Sequence, residues 1–169
     1  MVVVKLVIGT LIVVICTMLG ISKSKRYESR EHILREAIML FKGLENEIKY
    51  SLTTIPNAIE AVRQNMRTPL KDVLGAVSTN MLKGNVSPQA ISLEFDRLLE
   101  LTSYDKQIIT QGLSMIGSSD IDGEMGVISL TLSNLDAAVI EACEYKNKNA
   151  KLYKTVGMAS GLMIAIVFI

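Results

Sequence analysis

Residues that could perform acid–base, nucleophilic or metal chemistry are few and scattered in this chain of 169 residues. His32 is the only histidine, so a catalytic triad would have to be built on one unsupported residue. An exposed position on a helix is the simpler interpretation of it. Cys16 and Cys143 have no paired spacing, which predicts neither a disulfide framework nor a metal site. No phosphate-binding glycine motif is present. We therefore expect no enzyme, no cofactor and no metal.

One acidic stretch, residues 120–124, faintly resembles a calcium-binding loop. Aligning Gly123 with the glycine of such a loop leaves Ser129 where a bidentate glutamate is needed. Ser or Asp just before an apolar helix is typical of an N-cap. Capping by Ser119 or Asp120 therefore explains this stretch better than calcium binding does.

Charge is distributed unevenly, although the formal net charge is only +1. Between residues 31 and 145 there are nine basic and 16 acidic residues, a net charge of −7. This acidic body argues against nucleic acid as a partner, because phosphate binding needs a basic surface. The remaining basic residues, apart from Lys5, form two clusters: Lys23, Lys25, Arg26 and Arg30, then Lys146, Lys148, Lys151 and Lys154.

Apolar runs at the two chain ends predict membrane helices. Residues 2–21 hold a single charge, Lys5, and match the length of a bilayer span. A cleaved signal peptide is the alternative, but the run is long, lacks a small-residue cleavage site and is followed by the stronger basic cluster. Residues 155–169 are short for a span. The lysines directly before them nevertheless favour a membrane helix over a buried core helix.

Both basic clusters face the middle of the chain, so the positive-inside rule places residues 22–154 in the cytoplasm and both termini outside. The expected division is an anchor over 1–21, a cytoplasmic helical bundle, and a second membrane helix over 155–169. In that last helix Gly157 and Gly161 form a GxxxG motif, which lets two helix backbones approach closely in lipid. Chance also produces this motif often, so a true contact and a coincidence are equally open.

Apolar residues at helical spacing predict six helices between the anchors. Glu36 falls on the polar side of the first helix. The predicted core stripes are Leu70, Val73, Leu74, Val77 and Met81 in the third helix, Ile91, Phe95, Leu98 and Leu99 in the fourth, and Ile108, Ile109, Leu113 and Ile116 in the fifth. No segment alternates as a strand would. The expected fold is all-α, a six-helix antiparallel bundle flanked by two transmembrane helices, with the last bundle helix running into the second. The first helix covers residues 27–50, and the starts and ends of the others are marked by Pro56, Thr68-Pro69, Gly84, Ser87-Pro88, Ser103, Gly117 and Ser119 or Asp120.

The chain resembles the stage III sporulation protein AB family, which is related to the F-type inner-membrane platform domain of type II secretion. Two departures stand out: Glu31 where a proline is expected, and Leu113 where a further glycine is usual, with Gly112 one place early. The resemblance runs nearly end to end and rests on residues 5–9, 20–26, 44–50, 55–58, 105, 116–120, 151–157 and 161–162.

The resemblance implies a role in spore formation, in the mother-cell membrane facing the forespore, within a channel assembly that resembles a secretion system. It further implies a platform that couples a cytoplasmic ATPase to other membrane proteins of the channel. A homo-oligomer is also open. The alternative is a membrane receptor with a helical sensor domain, which the basic clusters disfavour because they would then lie outside.

Candidate partner-binding residues follow from this topology. In an up-and-down bundle, the loops near 50–55, 84–88 and 117–124 lie furthest from the membrane. An acidic end there would attract a basic surface of the ATPase. The competing interpretation, equally open for any one of these residues, is that they cap helix six and solvate a loop. The candidates are Glu45, Glu47, Asp120, Asp122 and Glu124.

Overall fold

A computed structural model describes residues 2–51, 53–117 and 121–150, together with 155 and 159. Every element formed by these residues is helical, which confirms the all-α prediction. The elements are α1 (Val2–Asn46), a π-helical turn (Glu47–Ser51), α2 (Ile55–Arg63), α3 (Leu70–Leu82), α4 (Pro88–Phe95), α5 (Ser103–Met115), α6 (Ile121–Tyr145) and a second π-helical turn (Lys146–Ala150).

The chain forms two compact units, residues 32–140 and residues 1–31 with 141–169. In the first of them, consecutive helices from α2 to α5 contact one another in chain order. The apolar stripes predicted from spacing form its core, since Leu34, Phe41 and Leu44 of α1 and all five stripe residues of α3 are buried. Its remaining large buried side chains include Ile59, Ile91, Phe95, Leu98, Ile109, Leu113 and Leu135.

Helices α2 and α4 start where the sequence predicts, whereas the starts of α3 and α5 differ from the prediction. Ser87 caps α4, its hydroxyl accepting a hydrogen bond from the Ala90 N–H at 3.2 Å. Helix α3 begins at Leu70, after a cis Thr68–Pro69 bond, and has no side-chain cap.

Thr102, and not Ser103, caps α5 because Asp105 completes a capping box with it. The Thr102 N–H donates to the Asp105 carboxylate at 2.9 Å, and the Asp105 N–H donates to the Thr102 hydroxyl at 3.1 Å. This reciprocal pair satisfies two backbone donors, which Ser103 alone could not do.

Glycines end α3 and α5, as predicted. Gly84 and Gly117 have φ of 81° and 92°, a backbone region that side chains disfavour. After α3 the Asn85 N–H reaches the Asn80 carbonyl at 3.0 Å and the Gly84 N–H reaches Met81 at 2.9 Å, which is the Schellman pattern.

Helix α4 is shorter than its apolar pattern predicts. It ends at Phe95, and the chain leaves helical geometry before Leu98 and Leu99. Leu98 is still buried, at 1% exposure, whereas Leu99 is 70% exposed. The assignment of Leu99 to the core stripe of helix four was therefore wrong, because the turn after Phe95 rotates it outward.

Three helices meet at Gly112. A Cβ atom there would lie 2.7 Å from Phe41 Cζ of α1 and 2.8 Å from Thr131 Cγ2 of α6. The neighbouring Leu113 is fully buried. Gly112, which stands one place earlier than the resemblance predicts, is thus the residue that lets α5 approach α1 and α6.

One described helix, Ile121–Lys148, is long and apolar enough to cross a membrane, with a mean hydropathy of 1.3. A core helix can meet the same criterion, and Ile128 and Leu135 of this helix are buried. Residues 2–21, the first predicted span, lie within α1. The second, 155–169, lies outside the described residues except for Thr155 and Ala159, which are helical. Both spans stay predictions.

The predicted passage from helix six into the membrane is α-helical only as far as Tyr145. Residues Lys146–Ala150 then form a π-helical turn. The continuation of this helix into the second membrane segment stays a prediction, and the hydrogen-bond spacing widens at the π-helical turn. Apolar periodicity does not reveal such a change.

Candidate interaction surface at one end of the bundle

Contacts between helices bring the loops near 50–55, 84–88 and 117–124 to the same end. A Cβ atom at Gly117 would lie 3.2 Å from Ile55, which links the end of α5 to the start of α2. The Ser78 hydroxyl donates to the Pro56 carbonyl at 3.0 Å, which sets the last turns of α3 beside the start of α2. Pro88 and Gln111 line one groove between α4 and α5. We name this region the acidic end, defined by Glu45, Glu47 and Asp122.

The acidic side chains at this end differ in their exposure. Asp122 is exposed, whereas Glu45 and Glu47 are half-buried. Glu47 accepts a hydrogen bond from the Thr53 hydroxyl at 3.4 Å. Asp120 lies outside the described residues. The end also carries the positive charge of Lys49. The Lys49 ammonium lies 5.7 Å from the ring centre of Tyr50, which is exposed.

Glu124 points inward and is only 8% exposed. Its carboxylate accepts a hydrogen bond from the Gly117 N–H at 2.9 Å, across the connection between α5 and α6. A carboxylate in the first turn of a helix is also favoured by the helix dipole. Glu124 therefore stabilises the loop, and its interpretation as an exposed partner contact needs correction.

Glu36 is the polar residue that sequence analysis missed. Helical periodicity placed it on the solvent side of α1, yet it is 4% exposed. One carboxylate oxygen accepts the Arg67 N–H at 3.2 Å and lies 3.9 Å from His32 Nδ1, while the other has no hydrogen-bond partner. The carboxylate ties α1 to the loop after α2. No local sequence signal marks this contact.

The predicted membrane-flanking residues are described only in part. Lys23 belongs to α1, and the side chains of Lys25 and Arg26 are exposed. Arg30 and Lys146, two other residues of the basic clusters, form ion pairs within the unit of residues 1–31 and 141–169. The remaining candidates, Lys151, Lys154, Gly157 and Gly161, lie outside the described residues.

Those two ion pairs link α1 to the end of the last helix. Arg30 lies 3.5 Å from Glu141, and the Lys146 ammonium donates to Glu31 at 2.5 Å. The hydrogen bond from Lys146 to Glu31 raises the pKa of the lysine. Part of the positive charge counted for membrane topology is thus neutralised locally.

Among the residues that the structure describes, no group of three His, Cys, Asp or Glu side chains could hold a metal ion. The buried carboxylates that sequence spacing might offer for catalysis have structural contacts instead. Asp105 closes the cap of α5, and Glu124 holds the Gly117 turn.

Comparison with known proteins gives one consistent result. A family model described as stage III sporulation protein AB matches residues 5–169. A relative named stage III sporulation protein AB, from Bacillus subtilis (strain 168), is 26% identical over 167 residues, covering 96% of this chain and 97% of the relative. A solved structure of a stage III sporulation protein AB superposes with a TM-score of 0.62 at 21% identity, covering 71% of this chain and 98% of that one, which establishes a shared fold.

Proposed function

The chain belongs to the stage III sporulation protein AB family, and we propose that it is a non-catalytic membrane scaffold that docks a cytoplasmic ATPase of a sporulation channel. Loops that contacts between helices place at one end, with Asp122 exposed in the first turn of α6 and Glu45 and Glu47 half-buried near the end of α1, are the observation that carries this proposal. The described body is helical, and its buried carboxylates Asp105 and Glu124 hold a helix cap and a loop. Such a body suits a platform on which other proteins assemble.

Membrane anchoring is part of the same proposal. The sporulation family supports association with a membrane, and the apolar runs over residues 2–21 and 155–169 would supply the anchors. Residues 22–154 would then face the mother-cell cytoplasm, with both termini outside, because both basic clusters face the middle of the chain. Gly157 and Gly161 would pack the second span against the first or against another copy.

A labelling experiment separates this topology from that of a membrane receptor. Asn85 is exposed in the loop after α3. We expect Asn85→Cys, in a chain whose Cys16 and Cys143 are replaced by serine, to resist a membrane-impermeant maleimide until the cells are opened. A permeant maleimide serves as the control for reactivity. Labelling of intact mother cells from outside would support the receptor alternative and remove the scaffold.

Docking at the acidic end follows from electrostatics. The chain between residues 31 and 145 has a net charge of −7, so a basic protein surface is attracted to it over several ångströms. Charges at the rim of an interface act mainly on the association rate. Glu124 is left out of this surface because its carboxylate is engaged by Gly117.

Charge reversal tests the docking surface. We expect Glu45→Lys with Asp122→Lys to weaken binding of the ATPase roughly tenfold at low salt, and less at high salt where charges are screened. Asp72→Lys with Asp96→Lys is the matched control, because both residues are exposed outside the acidic end and this pair changes the net charge by the same amount as the double reversal. ATPase binding that the double variant leaves unchanged would exclude the acidic end as the docking site.

A further inference from the structure

Helix α6 is apolar over most of its length, yet only part of it is covered. Within Ile121–Lys148, only 33% of the most apolar 18-residue stretch is buried. The inward side of α6 consists of Glu124, Ile128, Thr131, Leu135, Ala138 and Val139. The opposite side carries exposed residues spaced by three and four, which we name the outer stripe: Gly126, Leu130, Ser133, Ala137 and Ile140.

The outer stripe has the form of a helix-packing surface. Leu130 is 65% exposed and Ile140 is 62% exposed, each large enough to act as a knob. Between and beside them stand small residues, and a Cβ atom at Gly126 would meet nothing within 4 Å. Spacing of three and four residues is the repeat with which one helix seats another. The stripe extends for about 21 Å, or four turns.

The charges of α6 decide which occupant this stripe can take. From Ile121 to Tyr145 the helix contains five acidic residues and no Lys or Arg. Glu124 is buried, Glu141 pairs with Arg30 and Asp122 belongs to the acidic end. The exposed acids nearest the stripe are therefore Asp136 and Glu144. Asp136 is exposed and lies directly beside Ala137 of the stripe. Charges that flank an apolar seam select the partner of a helix pair. The complementary partner is therefore a helix whose aliphatic stripe is flanked by basic residues.

The same charges disfavour two other occupants. A second copy of α6 would bring acidic flanks together, and like charges across an interface are costly. The anionic surface of a membrane attracts basic helices and repels acidic ones. We propose that the outer stripe of α6 docks an amphipathic helix of a different protein, with Leu or Ile at the seam and Lys or Arg at its flanks. This surface is separate from the acidic end and does not depend on ATPase docking there.

Two synthetic helical peptides test this surface on the full chain in detergent micelles. Both carry one Leu/Ile seam, flanked by lysines in one peptide and by glutamates in the other. Fluorescence anisotropy, corrected for binding to empty micelles, should show that the lysine peptide binds and the glutamate peptide does not. Leu130→Ser with Ile140→Ser should weaken binding at least about tenfold. Asp136→Lys should weaken it severalfold at low salt only.

Leu93→Ser is the matched control, since Leu93 of α4 is 68% exposed but lies outside the stripe. We expect that variant to bind the lysine peptide as the unmodified chain does. Equal losses for Leu93→Ser and for the stripe pair, or no loss for either, would overturn the proposal. Self-association that disappears with the stripe pair would assign the surface to a second copy instead. A polarity-sensitive dye at Ala137→Cys, with both native cysteines replaced, that reports lipid in nanodiscs would assign it to the membrane.

Discussion

Gly112→Leu should prevent the bundle from folding, because the site where α5 meets α1 and α6 has no room for a side chain. The first side-chain atom alone would lie 2.7 Å from Phe41 and 2.8 Å from Thr131. Phe41 is fully buried and cannot retreat without moving the core. Overpacking a core by smaller amounts already costs about 1–3 kcal/mol. Limited proteolysis of the full chain in detergent should therefore show rapid cleavage throughout residues 32–140.

Gly112→Ala provides a graded version of the same experiment. Alanine gains about 1 kcal/mol of helix propensity, which the clash with Phe41 and Thr131 should outweigh. Gly126→Ala in α6 is the matched control, because nothing lies within 4 Å of its Cβ position. Guanidinium denaturation should thus show destabilisation at Gly112 and a small stabilisation at Gly126. The same sign of change at both positions would mean that the close approach of the three helices is absent.

Leu98→Ala should lower the free energy of unfolding by roughly 2–5 kcal/mol, as expected when a fully buried leucine leaves a cavity. Leu98 is 1% exposed although it lies beyond the end of α4. Its burial therefore fixes the turn that leads from α4 towards α5. Guanidinium denaturation of the full chain, followed by circular dichroism, measures the change as a shift of the midpoint.

Leu99→Ala is the matched control for Leu98→Ala, because the same residue type is truncated at the next position in the sequence. Leu99 is 70% exposed, so its truncation should change the free energy of unfolding by no more than about 0.5 kcal/mol. The two variants remove the same atoms from adjacent residues. A change near zero at Leu98 would show that this residue lies outside the core, and an equally large change at Leu99 would show that the turn after Phe95 does not expose it.

Local signals determined much of the fold from the sequence. Proline at the start of α4, with Ser87 before it, and glycine after α3 and α5 define helix boundaries through contacts within a few residues. The apolar spacing of α3 and α5 identified their buried faces correctly. Short motifs in a fixed order also carried the resemblance to the sporulation family, which the family match confirms.

Two positions were assigned wrongly, for different reasons. The cap of α5 is Thr102 and not Ser103, and the sequence already contains the signal, because Asp105 follows Thr102 at the capping-box spacing whereas Lys106 follows Ser103. Apolar spacing continued through Leu99, although a turn after Phe95 exposes that residue. Leu98 and Leu99 offer the same chemistry, and only the backbone path of the folded molecule selects which of them is buried.

The carboxylates show most clearly what the sequence by itself determined and what tertiary structure decided. Composition shows an acidic excess between residues 31 and 145, but it does not indicate which of these acidic side chains face solvent. Glu36 is buried because its partner is the backbone of Arg67, 31 residues away, and Glu124 because it reaches back to Gly117. Likewise Gly112 is required because two other helices approach it. Helix caps act within one turn and are visible in the sequence, whereas the contacts of Glu36 and Gly112 exist only once distant segments have packed.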